Sequence, residues 1–275
     1  MQERELTGKV AIVTGATRRR GLGRAIALAL AQAGADVVVT GTGSRPAGDL
    51  PADEREAGWR GADQIAEEAR ALGVRALALA VDVTSSEAVQ RMVAATVSEL
   101  GRIDILINNA TFARGDDRVP VQELDEALWR RIVEVNLTGT MLCCKHVARE
   151  MVRQAEGGSI VSISSGAALK AVGTFSAYAA SKAAVHALSS SLAEELGPHG
   201  ITVNVVAPGL LDTARIDMLR ADGRWEKRLA SIPLGRAGTP EEVAQAVRFL
   251  CGPHARWISG EVLLMNGAEV RRAAR

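Results

Sequence analysis

The sequence predicts an α/β protein built on a doubly wound, mostly parallel, seven-stranded sheet. Two observations predict it. Short β-branched runs alternate with Ala/Leu-rich segments of helical period, the pattern of successive right-handed βαβ crossovers. The strand runs are unbroken apolar stretches, as parallel strands buried on both faces require. No linker-like stretch divides the chain, so residues 1–275 are read as one domain.

The first strand is expected over Val10–Thr14, then a glycine-rich turn and a helix over Gly23–Ala33. Strand Asp36–Thr40 is followed by a polar stretch, residues 41–61, and a helix over Ala62–Leu72. Strand Arg75–Val81 leads to helix Ser86–Leu100, and strand Ile103–Asn108 to one long helix over Leu124–Arg153. Strand Ser159–Ile163 precedes helix Ser176–Leu196. Strand Ile201–Ala207, helix Pro240–Cys251 and strand Glu261–Met265 complete the pattern. Two segments break the rhythm. Residues 41–61 form an insertion where two to six residues are usual. Residues 211–238 are a long connection near the C-terminal ends of the strands, where open α/β sheets bind ligands, and form a candidate substrate lid.

Of the 275 residues 47% are hydrophobic and 24% charged, and the net charge is +1. That balance gives no reason to expect a nucleic acid or an anionic membrane as partner. No apolar run reaches 18 residues, so no membrane span is expected. The N-terminal Met1-Gln2-Glu3-Arg4-Glu5 has no apolar core of a signal peptide. A soluble cytoplasmic protein is expected. Cys143, Cys144 and Cys251 fall in predicted helices without metal spacing and read as reduced core thiols. The Arg-rich end (Arg271, Arg272, Arg275) reads as a solvated tail.

The segment Thr14-Gly15-Ala16-Thr17-Arg18-Arg19-Arg20-Gly21-Leu22-Gly23 ends a strand and opens a helix. Glycines there permit a tight turn and close approach of backbone to a pyrophosphate, and the helix N-terminus favours the anion. A dinucleotide is therefore expected at Gly15, Thr17, Arg18, Arg19, Gly21, Leu22 and Gly23. The next strand ends in Thr40 and Gly41, without the acid that commonly holds the ribose 2′-hydroxyl of NAD. Arg18, Arg19, Arg20 and Arg45 are near in sequence, and arginine matches a 2′-phosphate. NADP(H) is favoured and NAD(H) remains open, because Asp49 or Asp53 of the insertion could fold back. The arginines could also be solvated surface groups.

Tyr178 and Lys182 stand four residues apart, about one helical turn, so phenol and ammonium share a helix face. A free tyrosine has a pKa of about 10. A nearby fixed cation stabilises the phenolate and brings proton transfer toward the working range. The serine pair Ser164-Ser165 lies thirteen residues before the tyrosine and offers a hydroxyl to a substrate oxygen.

Taken together, these motifs resemble the short-chain dehydrogenase/reductase family, and the 3-oxoacyl reductases within it. The likeness runs from about Gly8 to Gly267. It is carried by Gly15 with Gly21-x-Gly23, Asp82-Val83, Asn108-Asn109-Ala110, Asn136, Ser165 with Tyr178-x-x-x-Lys182, Pro208-Gly209 and Ile258-Ser259-Gly260. The resemblance implies a Rossmann-type fold and NAD(P)(H)-dependent interconversion of a carbonyl and an alcohol. Tyr178 would be the acid/base, and Lys182 would bind the nicotinamide ribose. Ser165 would hold the carbonyl, with Ser164 the alternative, and Asn136 would hold a water linking Lys182 to solvent. Asp82 and Val83 would meet the adenine; Asn109 and Ala110 would line the cleft. Pro208, Gly209, Leu211 and Thr213 would lie on the nicotinamide side. Structural roles stand beside these: Asn136 as a backbone cap, Asp82 as a cap through Thr84, Asn109 as a tie between strands.

Three departures from the family pattern stand out. Five residues separate the first two glycines instead of three. Thr111 replaces the usual glycine after Asn-Asn-Ala and adds a side chain near the nicotinamide cleft. The 41–61 insertion sits beside the adenosine end. The competing class is a catalytically silent nucleotide-binding scaffold or sensor. Nucleic-acid binding through Arg18–Arg20 is a third reading. The lid residues Met218, Leu219, Trp225, Leu229 and Ile232 suggest an apolar or amphipathic substrate, or a subunit contact. A homotetramer or dimer is implied by the family, through the helices Leu124–Arg153 and Ser176–Leu196.

Overall fold

The computed structural model describes residues 4–43, 50–112, 116–170, 172–217, 220 and 223–269. Strands form at the apolar runs: β1 Val10–Val13, β2 Asp36–Gly41, β3 Ala76–Ala80, β4 Ile105–Asn108, β5 Gly158–Ile163, β6 Ile201–Pro208 and β7 Val262–Met265. They form one sheet in the order β3-β2-β1-β4-β5-β6-β7. The expected doubly wound sheet is present, and its pairing is parallel throughout.

Parallel neighbours need a crossover, here a helix in most cases. The helices are α1 Leu22–Gln32, α2 Ala52–Glu56, α3 Ala62–Ala71, α4 Ser86–Leu100, α5 Glu126–Val133, α6 Gly139–Gln154, α7 Ser176–Leu196, α8 Arg224–Ala230 and α9 Pro240–Cys251. Side chains alternate across each strand. Ala11 and Val13 pack with Ile26 and Leu30 of α1, Ile65 of α3 and Val247 of α9. Val10 and Ile12 pack on the other face with Met92 of α4 and Val147 and Met151 of α6. With both faces covered, all eight residues of β6 are buried, whereas the edge strands β3 and β7 are partly exposed. Local signals fix helix ends: Ser85 caps α4, Gly101 at φ 90° ends it, and Thr239 with Glu242 forms a capping box on α9.

The single helix expected over Leu124–Arg153 is instead α5 and α6 joined by one π turn, Glu134–Thr138. The insertion, expected as loop, contains α2. Residues 44–49, with Arg45 and Asp49, lie outside the described residues, as do Met218, Leu219 and the C-terminal Arg271, Arg272 and Arg275. The 211–238 connection is closed at its base, where Leu211 bridges Gly238, and it carries α8. The three cysteines are buried and free, and burial pushes the Cys144 thiol up to about 12. Among the described residues no helix is long and apolar enough to cross a membrane. Strand order reverses between β1 and β4, which opens a crevice at their C-terminal ends.

Candidate active site

The glycine-rich loop leaves β1 and turns into α1 at this crevice. Gly15 has φ 67°, and a Cβ there would lie 2.6 Å from Ala110 Cα. A Cβ on Gly23 would lie 2.6 Å from Asn109 Nδ2 and 2.9 Å from Ala16 Cα. Asn109 ties the two strands: its Nδ2 donates to the Thr14 carbonyl at 2.8 Å and that of Gly15 at 3.2 Å. The Asn109 and Ala110 N–H groups both donate to Thr14 Oγ1 at 3.1 Å. The tie role for Asn109 is therefore the one seen. Helix α1 starts at Gly21 without a side-chain cap, leaving N–H groups for an anion. A cradle whose close approach depends on glycine, ending at an uncapped helix, fits a pyrophosphate.

The insertion doubles back over this loop. Trp59 Nε1 donates to the Thr17 carbonyl at 2.8 Å, and the Trp59 ring carries the Arg24 guanidinium at 5.8 Å. Glu54, 1% exposed, accepts from the Arg19 N–H at 2.8 Å and from Arg18 Nη1 at 3.1 Å. Arg20 Nε donates to Asp53 at 3.1 Å, and its Nη1 to Asp217 of the 211–238 connection at 3.1 Å. The reach-back of Asp53 weighed from sequence is thus present, but onto Arg20. Thr40 is fully buried, so its side chain does not reach the crevice surface.

Across the crevice, α7 brings Tyr178, Ser181, Lys182 and His186 to the end of β5. Lys182 is 3% exposed, and its Nζ donates to the Ile163 carbonyl at 2.8 Å. Ser164 is committed to structure: its Oγ lies 2.7 Å from His186 Nε2 and donates to the Lys182 carbonyl at 3.1 Å. Burial, then the Lys182 charge, holds the His186 pKa below its ordinary value. Ser165 Oγ accepts from the Ala167 N–H at 3.2 Å, which leaves its own proton available.

Asn136 is fully buried at the π turn. Its Oδ1 accepts from the Phe112 N–H at 2.8 Å and from Thr111 Oγ1 at 3.1 Å; its Nδ2 donates to Ser181 Oγ at 3.0 Å. Asn136 thus joins the post-β4 loop to α7. The side chain of Thr111 turns to Asn136, a use the motif comparison did not anticipate. Asp82 makes a local turn, accepting from the Thr84 N–H at 3.0 Å and Thr84 Oγ1 at 2.7 Å, while Ser85 caps α4. Burial works against the Asp82 carboxylate, but the Thr84 donors and Arg131, at 3.8 Å, hold its pKa below the ordinary value. Val83, 6% exposed, packs against Gly139, where a Cβ would lie 2.7 Å from it.

Gly209 follows β6 and Pro208, and its N–H donates to the Met265 carbonyl at 2.8 Å. Beyond Leu211, Thr213 precedes a short 3-10 turn whose Ala214 N–H donates to the Arg20 carbonyl at 3.2 Å, so the 211–238 connection and the glycine loop touch. Ile232 is buried, 4% exposed, and packs beside Gly267, where a Cβ would lie 2.7 Å from it. That residue packs the 211–238 connection against the turn after β7.

One site residue was absent from the sequence reading. The Arg118 guanidinium lies 4.7 Å from the Tyr178 ring centroid and 3.9 Å from that of Phe175, and it pairs with buried Asp117 at 2.9 Å. No local pattern flags it, because Arg118 and Tyr178 are 60 positions apart.

Comparison with known proteins gives the class. A family model described as enoyl-(acyl carrier protein) reductase matches residues 15–267. The chain is 40% identical over 261 residues to the cis-4-hydroxycyclohexanecarboxylate dehydrogenase of Sinomonas cyclohexanicum, covering 94% of this chain and 95% of that one. It is 39% identical over 267 residues to a 3-oxoacyl-(acyl-carrier-protein) reductase of Aquifex aeolicus, covering 96% and 98%. A solved short-chain type dehydrogenase/reductase from Mycobacterium ulcerans superposes with a TM-score of 0.83 at 31% identity, covering 96% and 90%. The chain belongs to the short-chain dehydrogenase/reductase family. It is an oxidoreductase acting on CH–OH groups with a nicotinamide nucleotide.

Proposed function

We propose that the chain interconverts a ketone and a secondary alcohol, with Tyr178 as the acid/base beside an NAD(P)(H) nicotinamide. One observation carries the reading. The glycine cradle and the Ser165–Tyr178–Lys182 set meet at the same C-terminal edge of the sheet. The nucleotide supplies the hydride chemistry when bound. The protein's own part is orientation and proton handling. Ser165 donates its free proton to the substrate oxygen. Tyr178 gives that oxygen a proton in reduction and takes it back in oxidation. Lys182 supports both the nicotinamide ribose and the phenol from a site fixed by the Ile163 carbonyl. Asn136 acts as a positioning residue: its side chain bonds Thr111, Phe112 and Ser181 and so holds α7 against the post-β4 loop. A buried ammonium costs several kcal/mol unless it is compensated, and a silent binding scaffold has no use for one.

For substrate, the reading is a small secondary alcohol or its ketone, the chemistry in the Sinomonas relative's name. Homo-oligomer formation in the cytoplasm belongs to the same reading. Exposed Leu263 on edge strand β7 and fully exposed Trp257, five residues before that strand, support assembly. Tyr178→Phe tests the chemistry. It is expected to lower kcat/KM by about a hundredfold or more while nucleotide binding by calorimetry stays intact. Retained turnover in the variant would remove Tyr178 from the acid/base role.

A further inference from the structure

The insertion brings a buried acid, Glu54, onto the arginines of the glycine loop. We propose that Glu54 selects the nucleotide, reserving the adenosine end of the crevice for a ribose with a free 2′-hydroxyl. The chain then takes NAD(H) over NADP(H). This rests on the nicotinamide reading above and deepens it.

Location comes first. The end of β2 abuts the glycine loop: the Ala16 N–H donates to the Thr40 carbonyl at 2.8 Å, and a Cβ on Gly41 would lie 2.1 Å from Thr17 Cγ2. The insertion closes on the same spot, with Trp59 bonded to the Thr17 carbonyl. In this fold class the adenosine ribose lies at the end of β2.

Charge comes second. The NADP(H) expectation rests on Arg18, Arg19, Arg20 and Arg45; Arg45 lies outside the described residues, Arg18 and Arg20 are engaged by acids, and the Arg19 side chain donates to the Asp53 carbonyl at 3.4 Å. Glu54 holds Arg18, and Asp53 and Asp217 hold Arg20. Glu54 is the deepest of these acids, with its side chain 1% exposed, against 33% for Asp53 and 42% for Asp217. Two donors orient its carboxylate, the Arg18 guanidinium and the Arg19 N–H.

A 2′-phosphate arriving here would bring about two negative charges. It would have to take Arg18 from Glu54 and leave a buried carboxylate short of a donor, beside a like charge. A 2′-hydroxyl meets the opposite situation. It brings no charge to compete for Arg18, so the buried Glu54 carboxylate keeps both of its donors. Arg18, one of the arginines that suggest NADP(H) in the sequence, therefore belongs in the fold to an acid that disfavours it.

Calorimetric titration with NADH and with NADPH, without substrate, tests the assignment on wild type and Glu54→Gln. Wild type is expected to bind NADH at least about tenfold more tightly than NADPH. Glu54→Gln keeps the shape and the Arg19 N–H acceptor but releases the Arg18 charge. It is expected to tighten NADPH about tenfold while NADH changes by less than about threefold. Equal or tighter NADPH binding by wild type overturns the proposal, whether or not the variant folds. An unchanged NADPH/NADH ratio in a folded Glu54→Gln also overturns it and leaves the nicotinamide reading standing. Absence of heat with both nucleotides in wild type removes the nicotinamide reading and the selection with it.

Discussion

Arg118 shows how a single side chain can shape a site without appearing in any motif. Its guanidinium lies over the rings of both Phe175 and Tyr178, while buried Asp117 holds its charge. A guanidinium over an aromatic face contributes about 0.5–2 kcal/mol, and the stack fixes the orientation of the phenol. Lysine keeps the charge for Asp117 but loses the planar stack. Arg118→Lys is therefore expected to lower kcat/KM about tenfold, with a melting temperature within a few degrees of wild type. Unchanged kinetics would show that the ring needs no such support. Ser164 and Ser165 illustrate the same scale. The thirteen-residue spacing picks out Ser165, and the structure gives the physical ground: Ser164 is occupied by His186 and the Lys182 carbonyl.

At the scale of elements, the insertion and the 211–238 connection are joined through one residue. Arg20 reaches Asp53 on the insertion and Asp217 on that connection, and its carbonyl accepts from Ala214. Partly exposed ion pairs are worth little singly, roughly 0–1 kcal/mol, but here two of them hold two segments to a third. Arg20→Met is expected to speed amide exchange about fivefold to tenfold in residues 51–58 and 212–217 together. Exchange mass spectrometry reads this directly, and acceleration in only one segment would show that the two are independent. The π turn is a second case at this scale. Continuous helical periodicity from Leu124 onward gives no sign of it. It lies at buried Asn136, whose side chain reaches both α7 and the loop after β4.

Across the whole molecule, Asp104 clamps the N-terminal edge of the sheet opposite the crevice. Its carboxylate accepts from the Val10 N–H at 3.0 Å, from Lys9 at 3.0 Å and from Arg102 at 2.6 and 2.7 Å. Its backbone bonds β1 and β5. Burial works against the Asp104 carboxylate, but Arg102, the Val10 N–H and Lys9 outweigh it and hold its pKa below the ordinary value. A depressed carboxylate pKa stabilises the fold at pH above the unfolded value of about 3.9, and that stability is lost as pH falls through the folded value. Urea unfolding is therefore expected to show a decline below about pH 4. Asp104→Asn should cost about 3 kcal/mol at pH 7 and flatten that decline. Equal stability of variant and wild type at pH 7 would refute the clamp.

The strands, the glycine turn, the Tyr178/Lys182 face and the family likeness are all readable along the chain. They rest on periods of two and 3.6 residues and on short motif spacings, which the backbone imposes locally. The partners of Arg18, Arg118 and Thr111 are not readable in that way. Each is a side-chain pairing between segments 25 to 60 residues apart, set by where the sheet delivers the two loops. Charge is the clearest instance. In the sequence, Arg18–Arg20 is a cationic run facing a possible phosphate. In the fold, Asp53, Glu54 and Asp217 converge on the same run and cancel it, because the insertion after β2 returns over the glycine loop.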